Sequence, residues 1–200
     1  MKTLFFVLGI LLVIFIIVQI YTMNAQRTIE TYPYTVIKKY ENFEIRDYEA
    51  SLFTSVELST SAYKESSSKG FSILAGYIFG ANERKEKISM TSPVSMSLED
   101  SMTMMFMVPK KFNKENLPAP NQSGIEFKEE PAKTLAAITF GGWADDAKIE
   151  KYKIRLKTSL EAEDIAYTNR FYFFGYNSPA EVFNRKNEIV AELHPTVLKH

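Results

Sequence analysis

Six of the eight methionines fall in one stretch, MTSPVSMSLEDSMTMMFMVP, residues 90–109. A thioether is a soft ligand for haem iron or other soft metals, and it is also flexible filler for irregular apolar space. Spacing separates the two chemistries. Met90 and Met96 alternate with polar residues and share a face with Ile88, Val94 and Leu98. Met102 and Met104 share a face with Phe106 and Val108, which leaves Met105 and Met107 on the other side. These are strand-packing periods, not ligand spacings. The run therefore reads as core or groove lining, with Met105 and Met107 placed to cover a bound group from outside.

Other reactive constellations are scarce. There is no cysteine, so disulfides, thiolate nucleophiles and Cys-based metal sites are all excluded. The two histidines, His194 and His200, both lie near the C-terminus, and His194 beside Pro195 reads as a surface residue. A His-based metal site and a Ser-His-Asp triad lack their parts, so no metal ion is expected and an enzyme is the least favoured class. Asp145 and Asp146 stand where a helix starts and read as caps, not a catalytic pair. Glu44 and Arg46 share one strand face and can pair, a contact of small worth if exposed. Trp143, after Gly141-Gly142, reads as a packing anchor, and RKNE (185–188) as a turn into the last strand. Lys+Arg and Asp+Glu both number 24, which gives no electrostatic case for nucleic acid.

The elements that must position these residues follow from periodicity. LFFVLGILLVIFIIVQIY, residues 4–21, is apolar apart from Gln19 and Tyr21. As a helix it would rise roughly 27 Å, close to a bilayer's hydrocarbon thickness. Residues 1–22 are thus expected to be a single-pass anchor, with the rest on the extracytoplasmic side. The alternative is a cleaved signal peptide and a secreted product, although its apolar run is long and MNA (23–25) is a poor cleavage site. A polar tether is expected over 23–33.

From Tyr34 to His194 the pattern is α+β. YTVIKKY and FEIRDYEASLFTSVEL read as strands. Phe71, Leu74, Ala75 and Ile78 make one helical stripe at i, i+3, i+4, i+7. The methionine-rich stretch supplies two more strands, with a break or an edge at Pro93. After a loop the order returns: IEFKEE and KTLAAITF, a helix striped by Ile149, Tyr152, Leu156 and Leu160, then RFYFFGY and NEIVAEL. Two strands, a helix and two strands, twice over, point to a duplication with halves at about 34–109 and 124–194. Each helix would bury one stripe on an antiparallel sheet.

At GFSILAGYIFGANERKEKISMTSPV (70–94) the chain closely resembles the SOUL haem-binding family. The likeness continues at FEIRDYE (43–49), MMFMVP (104–109), LPAPN (117–121), PAKTLAAITFGGWA (131–144), RFYFFGYNSP (170–179) and RKNEI (185–189). The resemblance implies a duplicated α+β fold, a distorted eight-stranded antiparallel barrel carrying two helices. It also implies haem or another porphyrin, or a similar planar amphipathic ligand, as partner, bound without catalysis in an apolar groove beside the first helix of that domain. Phe71, Leu74, Ala75, Ile78, Met105 and Met107 are then the expected lining, with Lys69 as a basic partner; Lys64 and Arg84 could serve as well. Where animal members carry basic residues toward the propionates, this chain has Ser68, Gly76 and Glu181. That departure leaves a second possibility, an envelope protein-interaction module of the same fold without tetrapyrrole binding.

Overall fold

A computed structural model of the protein describes residues 2–26, 29–59, 62–99, 101–178 and 181–194. Helix α1 (Lys2–Gln26) comes first, followed by a two-residue strand β1 (Glu30–Thr31). Then come β2 (Tyr34–Lys39), β3 (Glu44–Tyr48), β4 (Ser51–Leu58), α2 (Tyr63–Ile78), β5 (Thr91–Ser92), β6 (Val94–Ser97) and β7 (Met102–Met107). The second half is β8 (Ile125–Glu130), β9 (Lys133–Gly141), α3 (Asp146–Ala162), β10 (Tyr167–Gly175) and β11 (Lys186–Leu193).

The main sheet has nine strands in the order β2-β3-β9-β11-β10-β6-β7-β4-β8, with every pair antiparallel. An approximate two-fold runs between β6 and β10. Outward from it, β6-β7-β4-β8 on one side matches β10-β11-β9-β3 on the other. The repeating unit is thus β3-β4-α2-β6-β7 against β8-β9-α3-β10-β11, and each half lends its first strand to the other. Strand β2 is an additional edge. The sequence FEIRDYEASLFTSVEL, read as one strand, is two, broken at Glu49-Ala50.

This exchange forces the sheet to curl. Strands β8 and β9 are joined by Pro131 and Ala132 alone, and β3 and β4 by Glu49 and Ala50. In the sheet order each pair is six steps apart. Six strand spacings would separate them by about 29 Å if the sheet were flat. Three Cα–Cα steps span at most about 11 Å. Only a half-barrel brings those ends within reach.

The inside of the curl is filled by Tyr32, Tyr48, Phe53, Met105, Met107, Leu135, Tyr172, Phe174 and Val190. Tyr32 bridges its walls, at 4.7 Å from Tyr48 and 5.1 Å from Phe53 between ring centroids. The cavity left among Tyr32, Phe53, Leu135 and Phe174 is only about 10 Å³, and a recess of about 660 Å³ opens beside Met105 and Tyr172 toward Lys128, Arg170 and Glu192. Beside these rings lies a buried ion pair, Arg46 to Glu188, bidentate at 2.9 and 3.0 Å. Glu44 joins it at 2.9 Å, as the strand alternation predicts, but Arg46 is buried and the contact is not a marginal surface pair. Burial pushes the Glu188 carboxyl up. The hydrogen bonds and charge of Arg46, with Lys186 and the Tyr176 hydroxyl, outweigh that and hold it below the usual carboxylate range.

Both helices lie on the outer face. Helix α2 buries Leu74, Ala75 and Ile78 on Val56, Met96, Met104 and Phe106. Helix α3 buries Ile149, Leu156 and Leu160 on Ile138, Phe140, Phe171 and Ile189, with Tyr152 stacked on Phe140 at 4.4 Å. Gly70 lets α2 approach closely: a Cβ there would stand 2.9 Å from Leu58 Cδ1 and 3.1 Å from Met104 Cβ. Pro93 marks the break between β5 and β6, as its missing N–H predicts, although β6 itself is central.

The side chains of α1 from Leu4 to Val18 are exposed all round. Among the described residues no helix is long and apolar enough to cross a membrane. The described side chains of α1 cover only 3–19, about 25 Å of helix. The expected tether is partly ordered: α1 runs to Gln26, and β1 pairs in parallel with β5. His200 lies outside the described residues.

Candidate functional site

Helices α2 and α3 touch at their first turns. Between them, above the β6–β10 seam, lies a groove of about 630 Å³. Its floor comes from both halves of the duplication: Val94 and Met96 on β6, Met104 on β7, Phe173 and Gly175 on β10. Met96 and Phe173 face each other in register across the seam, and Met96 and Met104 across the next pair. Phe71, Ser67, Ser68, Ser72 and Lys64 form the α2 wall, and Trp143 to Asp146 the opposite rim.

Local chemistry explains how the rim is held. Asp145 caps α3, accepting from the Lys148 amide at 2.8 Å. The next residue serves the other helix: the Tyr63 amide donates to Asp146 Oδ1 at 2.6 Å. Tyr63 then lies edge-on to Phe173 at 5.0 Å, and burial pushes its hydroxyl pKa up. Gly142, at φ +75°, turns the chain out of β9 where a side chain would be strained. Its carbonyl accepts from Asn187 Nδ2 at 2.8 Å.

That turn exposes Trp143, 55% accessible, which makes it a rim residue and not a packing anchor. The Arg185 guanidinium stacks on it at 3.9 Å. Arg185 Nη1 donates to the carbonyls of Ser178 at 3.0 Å and Glu181 at 2.6 Å. Its Nε is buried and has no hydrogen-bond partner among the described residues. Burial lowers the Arg185 pKa, the direction expected when charge is partly desolvated without a paired carboxylate. The groove thus joins an apolar floor to two cations, Lys64 and Arg185.

Of the residues expected to line a site, the structure brings Phe71 to the groove, together with Lys64. Leu74, Ala75 and Ile78 share the Phe71 stripe but are buried core on the sheet, whereas Phe71 is only partly buried. Met105 and Met107 point inside the curl, opposite the helices, because β7 alternates and its two faces serve different cores. Lys69 is exposed on α2 outside the lining. Arg84 bonds the Asn116 carbonyl and pairs with Glu86 at 3.3 Å, well outside the groove lining. Met96 and Met104 come from the run read as core or groove lining, whereas Tyr63, Phe173, Trp143 and Arg185 were not expected there. The RKNE motif was the one available pointer to Arg185. Its Asn187 holds the Gly142 carbonyl and its Glu188 takes the Arg46 ion pair.

Comparison with known proteins agrees with this architecture. Heme-binding protein 1 of Xenopus laevis is 29% identical over 156 residues, 74% of this chain and 81% of that protein. Heme-binding protein 1 of Sus scrofa is 26% identical over 174 residues, 81% and 92% of the two chains. Heme-binding protein 2 of Homo sapiens is 26% identical over 157 residues, 74% and 76%. Among solved structures, the EcmrR C-terminal domain superposes with a TM-score of 0.61 over 80% of this chain and 98% of that domain, at 14% identity, which shows the shared fold. The model of the SOUL heme-binding protein family matches residues 29–192, and the chain belongs to that family.

Proposed function

We propose that the protein is a non-catalytic binding protein for a tetrapyrrole, haem or another porphyrin, held at a membrane by α1. The observation that carries the ligand reading is the pairing, in one groove, of an apolar floor with the Arg185 guanidinium stacked on the rim Trp143. A planar amphipathic acid needs both: apolar contact for its ring and a charge-assisted donor for its carboxylates. A space of about 630 Å³ is within the range of small-molecule sites. The names of the relatives support the same ligand class. When bound, haem would supply its own redox and ligand chemistry. This chain's residues would hold the ring on Met96, Phe173 and Phe71 and orient its acid groups toward Arg185. The departures at Ser68, Gly76 and Glu181 do not empty the groove of cations, because Arg185 and Lys64 line it.

The anchor reading rests on the apolar run 4–21 and on the exposure of every large apolar side chain described along α1. The soluble part would then face the extracytoplasmic side.

Trp143 is the only tryptophan and lies on the groove rim, so it reports occupancy directly. Titrating the full-length protein with protoporphyrin IX or haem should quench Trp143 emission saturably, and Ser68→Phe should abolish the effect. Quenching that never saturates, or that survives Ser68→Phe unchanged, would overturn the ligand reading. Release of the protein from native membranes by alkaline carbonate would overturn the anchor.

A further inference from the structure

The approximate two-fold exposes an asymmetry. The β6–β7 connection, residues 98–101, is short and carries Glu99 and Asp100. Its counterpart between β10 and β11, residues 176–185, is longer and ends in an apolar tip, Val182 and Phe183, 44% and 56% exposed. The only acid in that loop, Glu181, is buried and takes a hydrogen bond from Asn177.

The tip meets α1. Phe183 lies edge-on to Phe15 with ring centroids 6.3 Å apart, and the Val182 amide donates to Gln19 Oε1 at 3.1 Å. Phe15 and Gln19 are four apart and so share one helix face. Gln19 is the one polar side chain between Leu4 and Ile20, and it is buried against the loop. An amide within an apolar segment requires a partner, and the loop provides it. Phe15 lies six residues, about 9 Å, inside the end of the apolar run at Tyr21. A loop in contact with Phe15 therefore reaches past the level where that run ends. The chain enters the domain at the same end, where β1 pairs with β5 and the Tyr32 amide donates to the Ser92 carbonyl at 2.8 Å. Arg185 closes the loop, and it is stacked on the groove-rim Trp143.

We propose that the β10–β11 loop inserts Val182 and Phe183 into the bilayer beside α1 as a second membrane contact. This sets the Trp143–Arg185 end of the groove at the lipid surface, so that an amphipathic ligand is exchanged with the membrane and not with water. The proposal rests on the anchor reading above. Tryptophan and arginine are the side chains that interfacial depth favours.

The test uses the full-length protein in phosphatidylcholine vesicles whose acyl chains carry a spin label, either near the headgroup or near the chain end. Trp143 should lose most of its emission to the shallow label and much less to the deep one. Val182→Asp with Phe183→Asp should restore emission while the protein still floats with the vesicles. The chain has no cysteine, so Val182→Cys bearing a polarity-sensitive dye gives a second readout with the loop otherwise intact. Its emission should shift to the blue on reconstitution, and that of Ile154→Cys, exposed on α3, should not. Vesicle flotation with Trp143 unquenched and the Val182 dye unshifted would overturn the loop insertion and leave the anchor standing. Failure to float would overturn both.

Discussion

Tyr63 and Asp146 tie the first turns of the two helices together: the first amide of α2 is capped at 2.6 Å by a carboxylate that begins α3. Ala62, at the N-cap of α2, makes no side-chain cap hydrogen bond. The adjacent acids are thus divided, Asp145 serving its own helix and Asp146 the other. That hydrogen bond crosses one end of the groove, which both residues line.

Asp146→Ala should therefore cost about 1 kcal/mol, as loss of a cap does. Asp146→Asn, which keeps an acceptor oxygen, should cost less. Urea unfolding of the two variants measures the difference, and Asp146→Ala should also weaken porphyrin binding by loosening the α2–α3 rim.

Removing one partner of the ion pair inside the curl should do far more. Arg46→Met leaves the buried Glu188 with Lys186 as its remaining countercharge, a loss of about 3 kcal/mol, and adding Glu188→Gln should recover much of it. The native pair also sets an acid limit. Glu188 is held below its ordinary pKa, so the folded state binds its proton less readily than the unfolded chain does. Its contribution is complete above the ordinary carboxylate range and is lost as pH falls from that range through the lowered value. Unfolding midpoints measured from neutral pH downward should fall in that window, and should fall less in the double variant.

Gly70→Ala tests the close approach of α2 to β4 and β7. Alanine gains about 1 kcal/mol of helix propensity but overpacks against Leu58 and Met104 at about 1–3 kcal/mol, for a net loss of up to about 2 kcal/mol. An exposed control, Ser72→Ala, should not destabilise. Thermal unfolding of both gives the comparison.

Arg185→Met should weaken binding of a dicarboxylic porphyrin roughly 10- to 100-fold, the worth of one charge-assisted hydrogen bond at about 1.5–3 kcal/mol. Binding of a porphyrin without acid groups should be little changed. Parallel Trp143 titrations with the two ligands distinguish charge recognition from a general loss of the groove.

Much of this architecture was legible along the chain. Strand alternation put Met102, Met104 and Phe106 on one face and Met105 and Met107 on the other, and both faces are covered. The stripes of α2 and α3 are buried as their spacing predicts, except that Phe71 and Tyr152 are only partly so. The site was far less legible. A helical stripe reports which side of a helix is apolar, and that side is taken up by the sheet. The groove takes only Phe71 from the stripe and is lined otherwise by Ser67, Ser68 and Ser72, whose sequence looks like an ordinary half-exposed surface.

The sequence by itself determined the family, the duplicated α+β pattern and the apolar run at the N-terminus, because each is written in local periodicity or in short motifs. Tertiary structure alone decided the exchange of first strands between the halves, the curl it compels, and the groove over the β6–β10 seam. It alone brought Met96 of one half opposite Phe173 of the other, and Arg185 onto Trp143, 42 residues earlier in the chain. The physical reason is that such contacts depend on how distant strands pair, and pairing is settled by closure of the whole sheet.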